Sequence, residues 1–361
     1  MHLHAALTWS YLNMLTKRRY DLLMESFGSL AEALAALDGT LLKKLGCRSD
    51  TIVKVLNRLE GFEVEKYQAE LARRSICFLS IEDDAYPALL QAINDPPVFL
   101  YHKGSISILS KQCIALVGTR NMSSYGKRVV EKMVRGLTAA DVVTVSGLAF
   151  GIDAEVARET LRAGGKTVGV VGHGLGMMYP KSNTALSLDI IEAGGLLLSE
   201  FPLDCPPDKF TFPARNRIIA GLCPATVVIE AAADSGSLIT ADLATDYNRD
   251  VYAVPGQIFD EQYAGCHQII ARGSATLLSD PLQLLTDRGI VPADMRQSPR
   301  TVVTDSPEEA SVYHALSRMP ASVDDVLVAA GLQAASVNAA LTLLEMKGAA
   351  QNVGEGKWVR V

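Results

Sequence analysis

The densest concentration of side chains suited to chemistry is Phe210-Thr-Phe212-Pro-Ala-Arg215-Asn216-Arg217, where two aromatics and two arginines fall within eight residues. A guanidinium presents a planar fork of donors that matches phosphate oxygens. An aromatic ring offers a face on which any nucleobase stacks. The apolar run that follows reads as a helix, so Arg215 and Arg217 fall near its start. Cations gain nothing from the helix dipole at that end, and their placement makes sense if they meet an anion. The competing reading pairs them with Glu200 or Glu230.

Three further loops carry related chemistry. In Val117-Gly-Thr-Arg120-Asn-Met-Ser123-Ser-Tyr125-Gly126 a strand ends, an arginine follows, and Ser123 is placed to cap the next helix. Backbone amides at such a helix start favour an anion. In Ser146-Gly147-Leu-Ala-Phe150-Gly151-Ile-Asp153 two glycines flank a turn that lets backbone approach a ligand closely. In Met178-Tyr179-Pro-Lys181-Ser-Asn183 an aromatic, a cation and an amide donor are adjacent, as backbone tracking with base stacking requires. The candidate contacts are therefore Arg120, Ser123, Gly147, Phe150, Tyr179, Lys181, Asn183, Phe212, Arg215, Asn216 and Arg217.

Enzyme signatures are approached and missed. Gly172-His-Gly174-Leu-Gly176 follows a strand, but the third glycine of a dinucleotide fingerprint should fall one residue later. Gly164-Gly-Lys-Thr167 imitates the end of a P-loop, yet a strand follows where a helix is needed. There is no nucleophile elbow, zincin motif or deaminase signature. His173 and His267 stand alone and read as structural. The six cysteines are scattered with no Cys-x-x-Cys pair, which disfavours a zinc ribbon and suits a reducing compartment. No cofactor or metal is expected.

The elements that must position these loops are legible in the centre of the chain. Short runs rich in Val, Ile and Leu recur at Ile114–Val117, Val142–Val145, Thr167–Val171, Gly195–Leu198, Thr226–Ile229 and Asp250–Val254. They lack polar alternation, so both faces are covered, as in a parallel sheet. Each is followed by a glycine-containing turn and a helical stretch, which predicts a doubly wound α/β domain with ligands at the carboxyl ends of its strands. Residues 1–75 read as a separate helical domain of the sterile-alpha-motif or helix-hairpin-helix kind, followed by the core over 76–290. Ile76–Tyr101 looks like a linker leading into a first strand. A polar, Pro-containing linker spans 291–307. Residues 308–361 show winged-helix order: helices at Glu308–Arg318, Val323–Ala330 and Ala334–Lys347, then a strand pair turning at Gly354-Glu-Gly356.

The 361-residue chain is 48% hydrophobic and carries a formal charge of −6. No region is basic overall, so a nucleic-acid binder of this composition must concentrate its cations in one pocket. No window has the uninterrupted apolar length of a transmembrane helix. The start lacks the order of a signal peptide, and a cytoplasmic, membrane-free protein is expected.

The series Gly118-Thr-Arg120, Ser146-Gly-Leu-Ala-Phe-Gly-Ile-Asp153, Tyr179-Pro180, Ser199-Glu-Phe-Pro202, Phe212-Pro-Ala-Arg-Asn-Arg217 and Glu230…Ser235-Gly-Ser-Leu-Ile-Thr-Ala241 resembles the DNA-processing protein A (DprA/Smf) family. It runs on into Arg249-Asp-Val-Tyr-Ala-Val-Pro-Gly256 and covers residues 76–285. Two departures are Gly118-Thr119-Arg120 where members have Gly-Ser-Arg, and Gly265-Cys266-His267 in place of a Gly-x-Asn.

The resemblance implies an extended Rossmann-like fold that binds single-stranded DNA in a basic pocket without catalysing a reaction. It implies a homodimer that loads the recombinase RecA and protects incoming strands during natural transformation, and it leaves a single-strand-binding protein open as a further partner. By position it assigns the pocket to Arg120, Lys181, Arg215 and Arg217, with Ser123, Gly147 and Asn183. Phe150, Tyr179 and Phe212 are stacking candidates on the residues' own chemistry. The alternative is a nucleoside-monophosphate-processing hydrolase using the same loops with Glu200 or Glu230 as the acid, although its Pro-Gly-Gly-x-Gly-Thr-x-x-Glu pattern is absent. The last winged-helix helix holds one cation, Lys347 at its end, so that domain is expected to contact protein, or duplex DNA only weakly.

Overall fold

A computed structural model describes residues 2–290, 304–317, 321–347, 349–354 and 356–360. The chain divides into two compact units, Met1–Asp294 and Met295–Val361.

The first unit is built on a nine-stranded sheet. In chain order its strands are β1 (Cys77–Ser80), β2 (Phe99–Gly104), β3 (Cys113–Val117), β4 (Val143–Ser146), β5 (Thr167–Val170), β6 (Leu196–Ser199), β7 (Ala225–Val228), β8 (Asp250–Ala253) and β9 (Thr276–Leu277). Their spatial order is β1-β2-β6-β5-β4-β3-β7-β8-β9. From β6 to β9 all neighbours are parallel, and β2 and β1 add an antiparallel margin. All six expected strands are present, each within a residue or so of its expected bounds. The segment expected to hold a linker and one strand holds two, with a short helix between them at Ala88–Gln91.

The missing polar alternation has the anticipated cause. Ala115 and Val117 of β3 pack into one hydrophobic cluster, while Ile114 and Leu116 pack into another on the opposite face. The second cluster takes Val130, Met133, Val134 and Leu137 from α1, the helix Ser124–Ala139, and Ile152 and Val156 from α2, the helix Ile152–Arg162. The first takes Ile218, Ile219 and Leu222 of α3 (Thr211–Leu222) and Ala241 and Ala244 of α4 (Gly236–Asp246).

Residue 75 is not a boundary between compact units. The six helices between His2 and Arg73 belong to the same compact unit as the sheet. Trp9, Leu12 and Leu23 belong to the same cluster as Val145 and Val168. The Ser10 and Tyr101 hydroxyls lie 2.7 Å apart, the Tyr67 hydroxyl donates to Tyr101 at 3.1 Å, and it accepts from the Leu203 amide at 3.0 Å. Sequence periodicity announced the helices but carried no sign of where their apolar faces would be buried.

The second unit has winged-helix order over helices Pro307–Ala315, Val323–Ala330 and Ala334–Met346 and strands Ala350–Gly354 and Lys357–Arg360. A short strand at Ala321–Ser322 pairs with the last of these, which was not expected. Ser306 caps the first helix, and Ser322 with Asp325 forms a reciprocal capping box on the second. Val312, Val326, Val337, Leu341 and Leu344 form its core. The expected linker, the end of the first helix at Arg318 and Glu355 of the expected turn lie wholly or mostly outside the described residues.

Candidate nucleic-acid interface

Strand order reverses about β3: the chain winds from β3 through β4 and β5 to β6 on one side, then crosses to β7 and β8 on the other. Parallel α/β sheets bind ligands at such a switch point, outside the carboxyl ends of the strands. A cleft of about 670 Å³ opens there. The segments after five strands line it, with Arg120 following β3, Ala149 and the first turn of α2 at Asp153 following β4, Tyr179 following β5, Phe212 and Arg215 of α3 following β6, and Ser235 following β7.

Arg120 is exposed and its guanidinium lies over the Phe212 ring, 5.2 Å from the centroid. No carboxylate forms an ion pair with it among the described residues. Stacking on a ring holds a cation in place while leaving its edge donors free. The Phe212 and Tyr179 rings are 6.0 Å apart and tilted by 47°. Tyr179 is 44% and Phe150 48% exposed, large values for rings that carry so much apolar surface. A smaller recess joins Phe150, Gly147 and Pro180 to Arg120, Tyr179 and Phe212. Half-exposed aromatics around an unpaired arginine form a surface suited to stacked bases and a phosphate backbone.

Arg215 forms the floor. It is 4% exposed and its guanidinium donates to the Gly147 and Val170 carbonyls, with Nε donating to Asn216 Oδ1 at 3.2 Å. A Cβ on Gly147 would collide with that guanidinium, so the glycine is needed for close approach. Asp153 is buried beside it. Burial pushes the Asp153 carboxyl up and the Arg215 charge opposes the shift. Burial pulls Arg215 down, Asp153 opposes this, and Arg120 adds to it. Asn216 also lines the cleft and donates to the Gly236 carbonyl at 3.4 Å.

Arg120, Gly147, Phe150, Tyr179, Phe212, Arg215 and Asn216 are thus brought together. Lys181 is exposed on the turn just past Tyr179-Pro180 and is not part of either wall. Three expected contacts are engaged elsewhere. Arg217 pairs with Glu200, with Asp95 at 3.6 Å, so the ion-pair reading holds for it and it does not reach the cleft. Asn183 is 1% exposed and clamps a loop, donating to the Leu148 carbonyl at 2.9 Å. Ser123 caps α1, accepting from Gly126 N at 2.9 Å, and its own amide and hydroxyl are taken by Glu230. His173 is structural: its Nε2 accepts from the Tyr179 amide at 3.2 Å, and burial pulls its pKa down.

Residues not singled out also line the cleft: Asp208, Lys209, Asp234 and the start of α4. Lys209 Nζ lies 5.0 Å from the centroid of Phe210, which is 73% exposed. Ser235 caps α4 by accepting from Ser237 N, a role that its position before Gly-Ser-Leu-Ile signals.

Residues 77–288 match the family described as DNA recombination-mediator protein A, and residues 296–356 match the DprA winged helix domain. The chain belongs to the DprA/Smf family. It is 40% identical to DNA processing protein DprA of Streptococcus pneumoniae over 66% of this chain and 93% of that protein. It is 31% identical to protein Smf of Synechocystis over 95% of this chain and 94% of that protein. The solved DprA structure from Streptococcus pneumoniae superposes with a TM-score of 0.60, covering 69% of this chain and 86% of that one. DprA from Helicobacter pylori, whose structure is described as revealing a single-stranded DNA binding mode, is 27% identical with a TM-score of 0.54, covering 59% of this chain and 95% of that one. The Rossmann-like core and the winged helix of the DprA family are both present. No single helix among the described residues is long and apolar enough to cross a membrane.

Proposed function

We propose that this chain binds single-stranded DNA along the carboxyl edge of its sheet, and that it does so as a homodimer in the cytoplasm, loading RecA onto the strand and protecting incoming DNA during natural transformation. The binding of single strands by a relative supports the first part, and membership of the family supports the setting. The observation that carries the reading is Arg120: exposed, held over Phe212, in no ion pair with a carboxylate among the described residues, and flanked by half-exposed Tyr179 and Phe150. The role is binding and not bond-making. The two glutamates on which a hydrolase reading rested are occupied, Glu200 with Arg217 and Glu230 with Ser123.

The test is titration of labelled oligo-dT and of its duplex across a salt series, for wild type, Arg120→Ala and Lys181→Ala. Binding should be selective for the single strand and fall with salt as counterions are released. Losing one phosphate contact should lower the log–log salt slope by about 0.7. A folded wild type that binds no oligo-dT refutes the reading, and release of free base from nucleotides would favour the hydrolase.

A further inference from the structure

In Rossmann-like sheets the N-terminus of the first crossover helix is where a nucleotide phosphate docks, because its amides are unpaired and its dipole favours an anion. Here that helix is α1, and its anion position is filled from within. Glu230, two residues past β7, has no exposed surface. Its carboxylate accepts from the Ser123 amide at 3.2 and 3.1 Å and from the Ser123 hydroxyl at 3.1 Å. The Gln262 carboxamide, oriented to satisfy both its ends, donates to the same carboxylate and to the Asn121 carbonyl.

All of these donors are neutral, so this is not an ion pair but an anion held by a helix start. The surroundings are shaped to it. A Cβ on Gly126, in the first turn of α1, would collide with Glu230 Oε2. The Glu230 carbonyl accepts from the Thr119 amide at 2.7 Å, so one residue pins both ends of the loop that carries Arg120. Burial raises the Glu230 carboxyl and the Ser123 hydrogen bonds oppose the rise.

We propose that Glu230 is a specificity-determining residue: an internal anion that occupies the α1 phosphate position, shuts out free phosphate and mononucleotides there, and positions Arg120 for a polymer backbone. The last part rests on the single-strand reading above; the rest does not. Two carboxylate oxygens replace two phosphate oxygens against the same donors, and phosphate recognition moves out to the Arg120 side chain.

The experiment compares wild type, Glu230→Ala and Glu230→Gln by thermal melting with acetate, inorganic phosphate or dTMP, and by oligo-dT titration. Glu230→Ala leaves the Ser123 donors, and one of the two Gln262 donors, without an acceptor. It should melt lower than wild type, and acetate or phosphate should raise its melting temperature saturably, while wild type shows no such shift. Its oligo-dT affinity should fall about tenfold, the size of one charge-assisted hydrogen bond, and recover with acetate. Glu230→Gln keeps the shape and one acceptor oxygen, and should respond to neither anion. A folded Glu230→Ala that ignores acetate and phosphate overturns the proposal. If that variant does not fold, wild type decides: saturable dTMP binding that Ser123→Ala abolishes overturns the proposal, and its absence supports it. Failure of wild type to bind oligo-dT would remove the single-strand reading while the melting response still judges Glu230.

Discussion

Arg215 is the arginine most easily mistaken for a ligand contact, and replacing it separates scaffold from interface. Its guanidinium is buried, donates to the Gly147 and Val170 carbonyls, and is the cation nearest to buried Asp153. Arg215→Ala leaves two carbonyls short of a donor and one carboxylate without a counter-charge. Leaving buried polar groups without their partners costs about 1–3 kcal/mol, more for a charged group, and most of that should appear as lost stability of the first unit. The chain has two tryptophans, and Trp9 is fully buried with its indole donating to the Leu30 carbonyl at 3.0 Å. In a Trp358→Phe background, Trp9 fluorescence therefore reports the first unit alone during urea unfolding. Adding Asp153→Asn to Arg215→Ala should restore about 1–2 kcal/mol, within the range of coupling between contacting residues. An Arg215→Ala variant within about 1 kcal/mol of wild type, a typical surface or mild effect, would refute the reasoning and make Arg215 a direct ligand contact.

Phe212→Ala and Tyr179→Ala should each weaken oligo-dT binding by about 1–3 kcal/mol while leaving the salt slope unchanged, because stacking releases no counterions; a changed slope would argue against a stacking role. Burial pulls the His173 imidazole below its ordinary value of 6.5, so the unfolded chain takes up that proton first as pH falls. The contribution of a neutral His173 is complete above about pH 6.5 and is lost below it. The stability difference between wild type and His173→Gln should therefore shrink on acidification in urea titrations, and a difference that grows would contradict the assignment.

The six core strands expected were legible because each is short and apolar on both sides, most of them β-branched, and this pattern survives any arrangement of neighbours. Which loops would meet was legible too, since a doubly wound sheet gathers the loops that follow its strands. Arg120 and Phe212 lie far apart in sequence yet share one contact. The fate of individual polar side chains was not legible. Arg215 and Arg217 are two residues apart in the second turn of one helix, which begins at Thr211 and not just before them, and the turn of that helix sends one to the cleft floor and the other to Glu200. Asn183 looked like a donor to a ligand and is a clamp on the loop after β4. Glu230 was weighed as a partner for arginine, whereas the crossing from β6 to β7 sets it against Ser123. Each of these outcomes depends on a residue distant in sequence, which local pattern does not encode.

The hydroxyl chain from Ser10 through Tyr101 and Tyr67 to the Leu203 amide has a consequence for how this protein exchanges parts. Leu7, Leu71, Ile76, Tyr101 and Leu203 share one apolar cluster, which draws on the helical segment and the sheet alike. A chain begun at residue 76 would bare that cluster and leave the Tyr101 hydroxyl without its Ser10 partner. The loop from Leu203 runs on to Pro207, Asp208 and Lys209, which line the cleft. The leading helices therefore open and close as one foldon with the sheet, and amide exchange in both should slow together. They are not a detachable module that recombination can trade freely between relatives, and any replacement must bring its own match for Tyr101.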